Sequence, residues 1–123
     1  MSAGGEVGRL GERSRPLLDI RFRTRDGVET REAWIDTGFD GELGLPAAEI
    51  DAMGLERSRV ADAVLADGSR RELATYSASI EWCGRVRAVE VIAGEGANAL
   101  LGNYLFAGRT LTIDYDAHDV RVA

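Results

Sequence analysis

Hydrophobic and polar residues alternate over short runs along most of this chain, and turn-forming residues divide the runs at close spacing. Leu18, Ile20 and Phe22 occupy alternate positions after Pro16, the period of a half-buried strand, which predicts a strand over residues 17–22. Arg25-Asp26-Gly27 supplies turn chemistry, so residues 28–35 are expected to return as the second arm of a hairpin. Pro46 begins a short helix over residues 46–53, since a first helical turn has no use for the missing N–H. Gly54 stops that helix and lets Leu55 fold back on Ile50. Strands over residues 60–66 and 70–82 flank Asp67-Gly68, a two-residue hairpin signal. Cys83-Gly84 turns the chain into a strand over residues 85–92. A loop of small residues, 93–98, leads to Ala99-Leu100-Leu101-Gly102 and a brief helix over 103–107. A strand over 110–115 and a short one at Val120-Arg121-Val122 close the chain. Many short strands with frequent turns predict a small all-β barrel or sandwich carrying one or two short helices.

At 123 residues the chain is long enough for one core and too short for two. Residues 1–15 are Gly-rich and charged without an apolar stretch, so they read as a flexible leader and 16–123 as the domain. There is no apolar run of bilayer length, which argues against a membrane partner. The net charge of −6 disfavours nucleic acid, because phosphate binding needs a basic face. All 15 basic residues are arginine. Schiff-base lysine chemistry and a phosphate-loop lysine are thereby excluded. Cys83 is the only cysteine, which excludes an intrachain disulfide and points to a reducing, cytoplasmic setting. His118 is the only histidine, so a zinc site built from several His or Cys of one chain is excluded. Cys83 and His118 both read as structural, and neither a metal nor another cofactor is expected.

Candidate chemistry concentrates at Asp36-Thr37-Gly38, reached through the apolar approach Ala33-Trp34-Ile35. A strand that ends in a carboxylate before a sharp turn can aim one acid into a cleft. A calcium-loop reading of residues 36–47 fails, because Gly38 stands at the third ligand position and Ala47 at the twelfth. Gly94-Glu95-Gly96-Ala97-Asn98-Ala99 matches a dinucleotide pattern, yet no alternating β/α units surround it. Two carboxylates sharing a proton can activate water, and the triplet occurs once, so a catalytic role requires a symmetric pair of chains.

The triplet, the hairpin tip at Asp67-Gly68 and the segment Leu100-Leu101-Gly102 follow one another in an order that resembles the retropepsin-like aspartic peptidases. The wording Asp36-Thr37-Gly38-Phe39-Asp40-Gly41-Glu42-Leu43, followed by Leu45-Pro46, is similar to a microbial single-domain branch of that clan. The resemblance spans nearly the whole chain from Leu17. It implies an acid-protease barrel forming one half of a two-fold symmetric homodimer, acting as an endopeptidase on a peptide or protein. Asp36 would be the catalytic acid, one from each copy. Thr37 would bond across the two-fold axis, and Gly38 would leave room for substrate. The hairpin at Ala66, Asp67 and Gly68 would be the flap, and Phe39 and Asp40 would join it in touching substrate. Leu100, Leu101, Gly102 and Asn103 would support the catalytic loop from behind, and residues 120–123 would enter a dimer sheet. Asn103 stands where retroviral members carry arginine, so a bond from Asn103 to Asp40 is expected. The alternative implied by the same fold is a dimerisation or peptide-binding module that cleaves nothing.

Overall fold

A computed structural model describes residues 4–123. Met1 to Ala3, the first part of the expected leader, lie outside the described residues. The strands are β1 (Glu6–Leu10), β2 (Pro16–Thr24), β3 (Gly27–Ile35), β4 (Leu43–Pro46), β5 (Glu56–Val64), β6 (Arg70–Trp82), β7 (Arg85–Gly94), β8 (Ala99–Leu101), β9 (Leu111–Asp114) and β10 (Asp119–Val122). One α-helix, α1 (Ala47–Met53), and 3-10 turns at Glu12–Ser14 and Asn103–Phe106 complete the chain.

The strands form one sheet in the order β5-β6-β7-β4-β8-β3-β2-β1-β10-β9. β6 also pairs with β2, through Arg21↔Glu81, Phe22↔Ile80 and Arg23↔Ser79. That extra pairing closes β6, β7, β4, β8, β3 and β2 into a six-stranded barrel and leaves β5 and β9 as the two ends of the sheet. The all-β reading therefore holds, and barrel is the correct one of its two architectures. The alternating residues of β2 face inward: Leu18, Ile20 and Phe22 are buried, as are Leu43, Leu45, Ile80, Val91 and Leu101 from the facing strands. Trp82 and Phe106 meet edge to face with centroids 5.7 Å apart at one end of this core.

Local chemistry explains most element ends. The β2–β3 hairpin turns on Arg25 and Asp26, with Thr24 opposite Gly27 in the register. Gly54 ends α1 at φ +63°, and its N–H and that of Leu55 donate to the Asp51 and Ile50 carbonyls at 3.1 and 3.2 Å. Cys83 and Gly84 take φ of 50° and 82° in the tight β6–β7 turn, as a primed hairpin turn requires.

Two expectations are revised at the chain ends. Glu6–Leu10 is not a loose leader: it forms β1, paired with β10 from Glu6↔Val122 to Arg9↔Asp119 and with β2 at Arg9↔Leu17. Its inward positions are Glu6, Gly8 and Leu10, so it carries no apolar stripe to announce it. Glu6 is only 8% exposed and accepts a hydrogen bond from the Cys83 N–H at 2.8 Å. A Cβ on Gly8 would lie 2.0 Å from the Leu17 carbonyl oxygen, so only glycine lets the two strands approach this closely. The second revision concerns β10. Both of its edges are filled within its own chain, by β1 and by β9, so entry into an intersubunit sheet would require one of them to leave.

Candidate active site

β3 delivers Asp36 at its C-terminal end, and β8 runs parallel beside it with Ile35 opposite Leu101. The Asp36 N–H donates to the Leu101 carbonyl at 2.9 Å, extending the ladder by one bond. Beyond that point the chain turns on itself. The Gly38 N–H donates to Asp36 Oδ1 at 3.1 Å, and the Phe39 N–H donates to the Asp36 carbonyl at 3.1 Å. One carboxylate oxygen is thus oriented by the turn that follows it, and the side chain stays exposed. Thr37 and Gly38 are also exposed, and among the described residues the Thr37 hydroxyl has no hydrogen-bond partner within the chain.

The segment after β8 locks this loop from behind. Gly102 donates to the Glu42 carbonyl at 2.9 Å, Asn103 to that of Phe39 at 2.8 Å and Tyr104 to that of Gly41 at 3.0 Å, all through backbone N–H groups. A Cβ on Gly102 would fall 2.1 Å from the Gly41 carbonyl oxygen and 2.8 Å from Phe39 Cδ2. A Cβ on Gly41 would fall 2.6 Å from Phe39 Cζ. Phe39 is therefore a wedge, its ring half-buried between Gly41 and Gly102, with Gly44 close by. That packing accounts for a bulky residue directly after the triplet.

The expected bond between Asn103 and Asp40 does not form. Asn103 engages the loop by its backbone alone, and the exposed Asp40 carboxylate has no hydrogen-bond partner among the described residues. A different pair performs the bracing. Glu42 accepts hydrogen bonds from Arg87 Nη2 at 2.5 Å and from the Glu90 N–H at 2.9 Å, and Arg87 Nη1 donates to the Leu105 carbonyl at 3.3 Å. Glu42 lies in the bend just before β4 and Arg87 on β7, far apart in sequence, and no local pattern links them. Their partly buried, charge-assisted contact ties β7 to the loop and to the 3-10 turn after Gly102.

The hairpin of β5 and β6 is built more lightly. Leu65 N–H donates to the Ser69 carbonyl at 2.8 Å and Gly68 N–H to the Leu65 carbonyl at 2.9 Å, so the tip is a three-residue loop instead of the expected two-residue turn. Gly68 takes φ +84°. Asp67 accepts from the Ser69 hydroxyl at 2.6 Å and its N–H at 2.8 Å, bonds that hold its carboxyl below the usual range, the hydroxyl contributing most. Ala66, Asp67 and Gly68 are exposed, beside Val64 and Leu65, which are 69% and 40% exposed.

A cavity of about 410 Å³ opens beside Asp36, lined by Arg15, Pro16, Trp34, Ile35, Asp36 and Leu100. None of the hairpin-tip residues lines it within one chain. Arg15 is not a candidate from the sequence, and Trp34 reads there only as part of the apolar approach to Asp36. Arg15 sits in the segment read as leader, and its guanidinium carbon lies 3.9 Å from the centre of the Trp34 ring. A larger space of about 570 Å³, between the β2–β3 turn and the end of α1, contains no residue of the Asp36 loop. Burial pushes the Cys83 thiol up, which suits a structural cysteine and not a nucleophile. Among the described residues no three His, Cys, Asp or Glu side chains gather as a metal site, and no helix is long and apolar enough to cross a membrane.

No protein-family model matches the chain, and no curated protein matches its sequence significantly. Solved structures do match its fold. A retropepsin-like aspartic protease from Rickettsia conorii aligns with a TM-score of 0.66 at 15% identity, covering 97% of this chain and 89% of that one. The EIAV protease, solved in complex with the inhibitor HBY-793, aligns with a TM-score of 0.57 at 18% identity, covering 79% of this chain and 89% of that one. The chain has the retropepsin-like fold, as its sequence resemblance implied.

Proposed function

We propose that the protein is an aspartic endopeptidase assembled from two copies of the chain, each giving one Asp36 to a shared centre. The observation that carries this reading is the placement of the single Asp-Thr-Gly turn: a strand end in a retropepsin-like barrel, with the carboxylate oriented by Gly38 and the loop fastened to Gly102. Thr37, exposed beside Asp36 and without a hydroxyl partner among the described residues, would bond its counterpart across the two-fold axis. In the pair, two carboxylates in contact cannot both ionise at low cost, so they hold one proton between them over acidic to near-neutral pH, as established for aspartic protease dyads.

The chemistry follows from that shared proton. The ionised carboxylate takes a proton from water as the water oxygen attacks the peptide carbonyl carbon. The protonated partner donates to the carbonyl oxygen and stabilises the tetrahedral adduct. A proton then passes to the amide nitrogen, the C–N bond breaks, and the products are a carboxylic acid and an amine. The reaction needs no metal and no covalent bond between enzyme and substrate. The β5–β6 hairpin would lie over the extended substrate and pair with its backbone as an added strand, with Ala66, Asp67 and Gly68 at its tip. Phe39 acts from beneath the loop, and Asp40 stands beside the cleft. The single, buried Cys83 fits a cytoplasmic setting.

The test is peptide cleavage at mildly acidic pH by the parent and by Asp36→Asn, with the molecular mass of each measured in solution. Loss of cleavage with the dimer intact supports the reading. A parent that stays monomeric at every concentration, or cleaves nothing across pH, removes it. The in-chain pairing of both β10 edges favours the second reading, a non-catalytic peptide-binding module, because it leaves the pair without a ready terminal sheet.

A further inference from the structure

We propose that Glu90 joins the Asp36 loop to the β5–β6 hairpin, and that Arg59, clamped by the Glu90 carboxylate, is a positioning residue that fixes the angle at which the hairpin tip stands over the cleft. The proposal rests on the peptide-cleaving reading for what the tip covers, and on contacts within one chain for the clamp. β5 is an end strand of the sheet, and among the described residues it pairs only with β6. Pairing of β6 with β7 stops at Thr75↔Ile92, so Arg70 to Ala74 have β5 as their only strand partner among those residues. The outer half of the hairpin is therefore a two-stranded ribbon, which ladder bonds alone hold weakly. Its direction depends on what grips its base.

A β-bulge makes the grip possible. Arg57 lies opposite Tyr76 and Arg59 opposite Thr75, with Ser58 as the extra residue between them. Residues 57 and 59 of a regular strand would share a face, whereas the bulge puts Arg59 on the face of Thr75 and Arg57 on that of Tyr76. Glu90 pairs with Ser77 across the other edge of β6, and Ser77 shares the face of Thr75. Arg59 and Glu90 thus stand on one face of the sheet, on the two strands that flank β6. The arginine side chain crosses the strand between them: Arg59 Nε and Nη2 donate to Glu90 Oε2 at 3.0 and 2.9 Å. The fully buried Thr75 donates its hydroxyl to the Arg59 carbonyl at 3.1 Å and pins the bulge.

The other end of the link is the brace of the Asp36 loop. The Glu90 N–H donates to Glu42 Oε1 at 2.9 Å, and the same Glu42 carboxylate takes Arg87. One residue of β7 therefore holds the loop through its backbone and the hairpin through its side chain. The Arg59 and Glu90 side chains are 64% and 32% exposed, so the clamp is weak enough to open and still biases a ribbon that little else directs. A second tie, from Arg71 Nη1 to Glu95 Oε1 at 3.2 Å, lies farther out, and its Glu95 side chain is 86% exposed, so it adds less. Loss of the Arg59 clamp leaves the Glu90 N–H on Glu42, and with it the brace of the loop. Its cost falls on binding, because a released ribbon must be ordered each time it pairs with a peptide.

The experiment follows the hairpin in full-length protein carrying spin labels at Ala66→Cys on the tip and Asp51→Cys on α1, both exposed positions, diluted in unlabelled protein so that distances within one chain are read. Cys83 is buried and stays unlabelled. The parent should give one narrow distance distribution. Arg59→Gln and Glu90→Gln should each broaden it to the same extent, and the double variant no further, with little change in melting temperature. Exchanging the charges, Arg59→Glu with Glu90→Arg, should narrow it again. With a peptide that the parent cleaves, each single variant should raise KM about fivefold and leave kcat within about twofold, and Arg59→Lys should recover part of the loss. Molar salt should do to the parent what the substitutions do, and nothing further to the variants, which carries the test where a variant does not fold. A narrow distribution in both single variants, a broad one already in the parent, effects that add in the double variant, or a fall in kcat at constant KM overturns the proposal. Cleavage by a parent whose hairpin ignores both substitutions removes the clamp and leaves the peptidase. A hairpin released by either substitution in a protein that cleaves nothing keeps the clamp and removes the peptidase.

Discussion

The Asp36 loop and the hairpin tip are both glycine-containing turns on one barrel, and they are stabilised in opposite ways. The loop at Asp36 is held by backbone bonds from Leu101, Gly102, Asn103 and Tyr104 and filled from inside by the Phe39 ring. The tip at Asp67 is held by its own turn and by the Ser69 hydroxyl, with Val64 and Leu65 turned to solvent. Glycine serves a different purpose in each. Gly102 is there because a Cβ would collide with the Gly41 carbonyl at 2.1 Å, whereas a Cβ on Gly68 would meet nothing within 4 Å and only the φ of +84° favours glycine. The difference suits the proposed function, in which a reacting carboxylate would be held to a fraction of an ångström while a cover over substrate would open and close.

The contrast has measurable consequences. Gly102→Ala should cost about 3 kcal/mol or more, since the clash is with the Gly41 backbone and the wedged Phe39 ring, and chemical denaturation should show it directly. A loss under about 1 kcal/mol would mean that the loop is far more yielding than its contacts imply. Glu42→Gln should cost about 1–2 kcal/mol, because it keeps the shape but weakens the brace to Arg87; the half-exposed setting holds the value down. Gly68→Ala should cost about 1 kcal/mol from the left-handed backbone alone, and it should slow peptide turnover more than it lowers stability.

Hydrogen exchange offers a direct reading of the same difference. The amides of Gly102, Asn103 and Tyr104 should open only with global unfolding, and those of Gly68 and Ser69 well before it. Exchange at equal rates in both places would erase the distinction. The smallest effect is at Asp67. Its carboxyl is depressed in the folded state, so its bonds to Ser69 help the tip at neutral pH, above the unfolded value of about 3.9. That help is lost as pH falls through the lower folded value. Carboxyl NMR titration should place Asp67 below an ordinary aspartate, and Asp67→Asn should remove the acid-induced loosening of the tip without a detectable change in melting temperature.

Legibility followed the range of the interaction. β2, β3, β6 and α1 were readable to within a residue or two, because their alternation and their turn residues lie next to one another. β1 was hidden, because its inward face is Glu6, Gly8 and Leu10 and its burial depends on Cys83 and Val122 at distant points of the chain. β4 and β8 were unrecognised as strands, since each is short and buried and pairs only with partners far along the sequence. At the site, the Asp-Thr-Gly turn stood out as a local signature. The Glu42–Arg87 brace, the wedge role of Phe39 and the Arg15–Trp34 stack did not, for each is a meeting of residues that no spacing rule connects.

Amino-acid order alone therefore determined the all-β class, the hairpins, the helix after Pro46 with its glycine stop, and the Asp-Thr-Gly turn at a strand end. Those properties depend on backbone preference and on a two-residue period, which act between neighbours. Only the tertiary structure decided how the barrel closes, which acid braces the loop, that the N-terminal segment is a strand, and that Arg15 stacks on Trp34 beside Asp36. Those depend on pairing across long loops, where the energy comes from burial and from charges that meet only after the chain has folded.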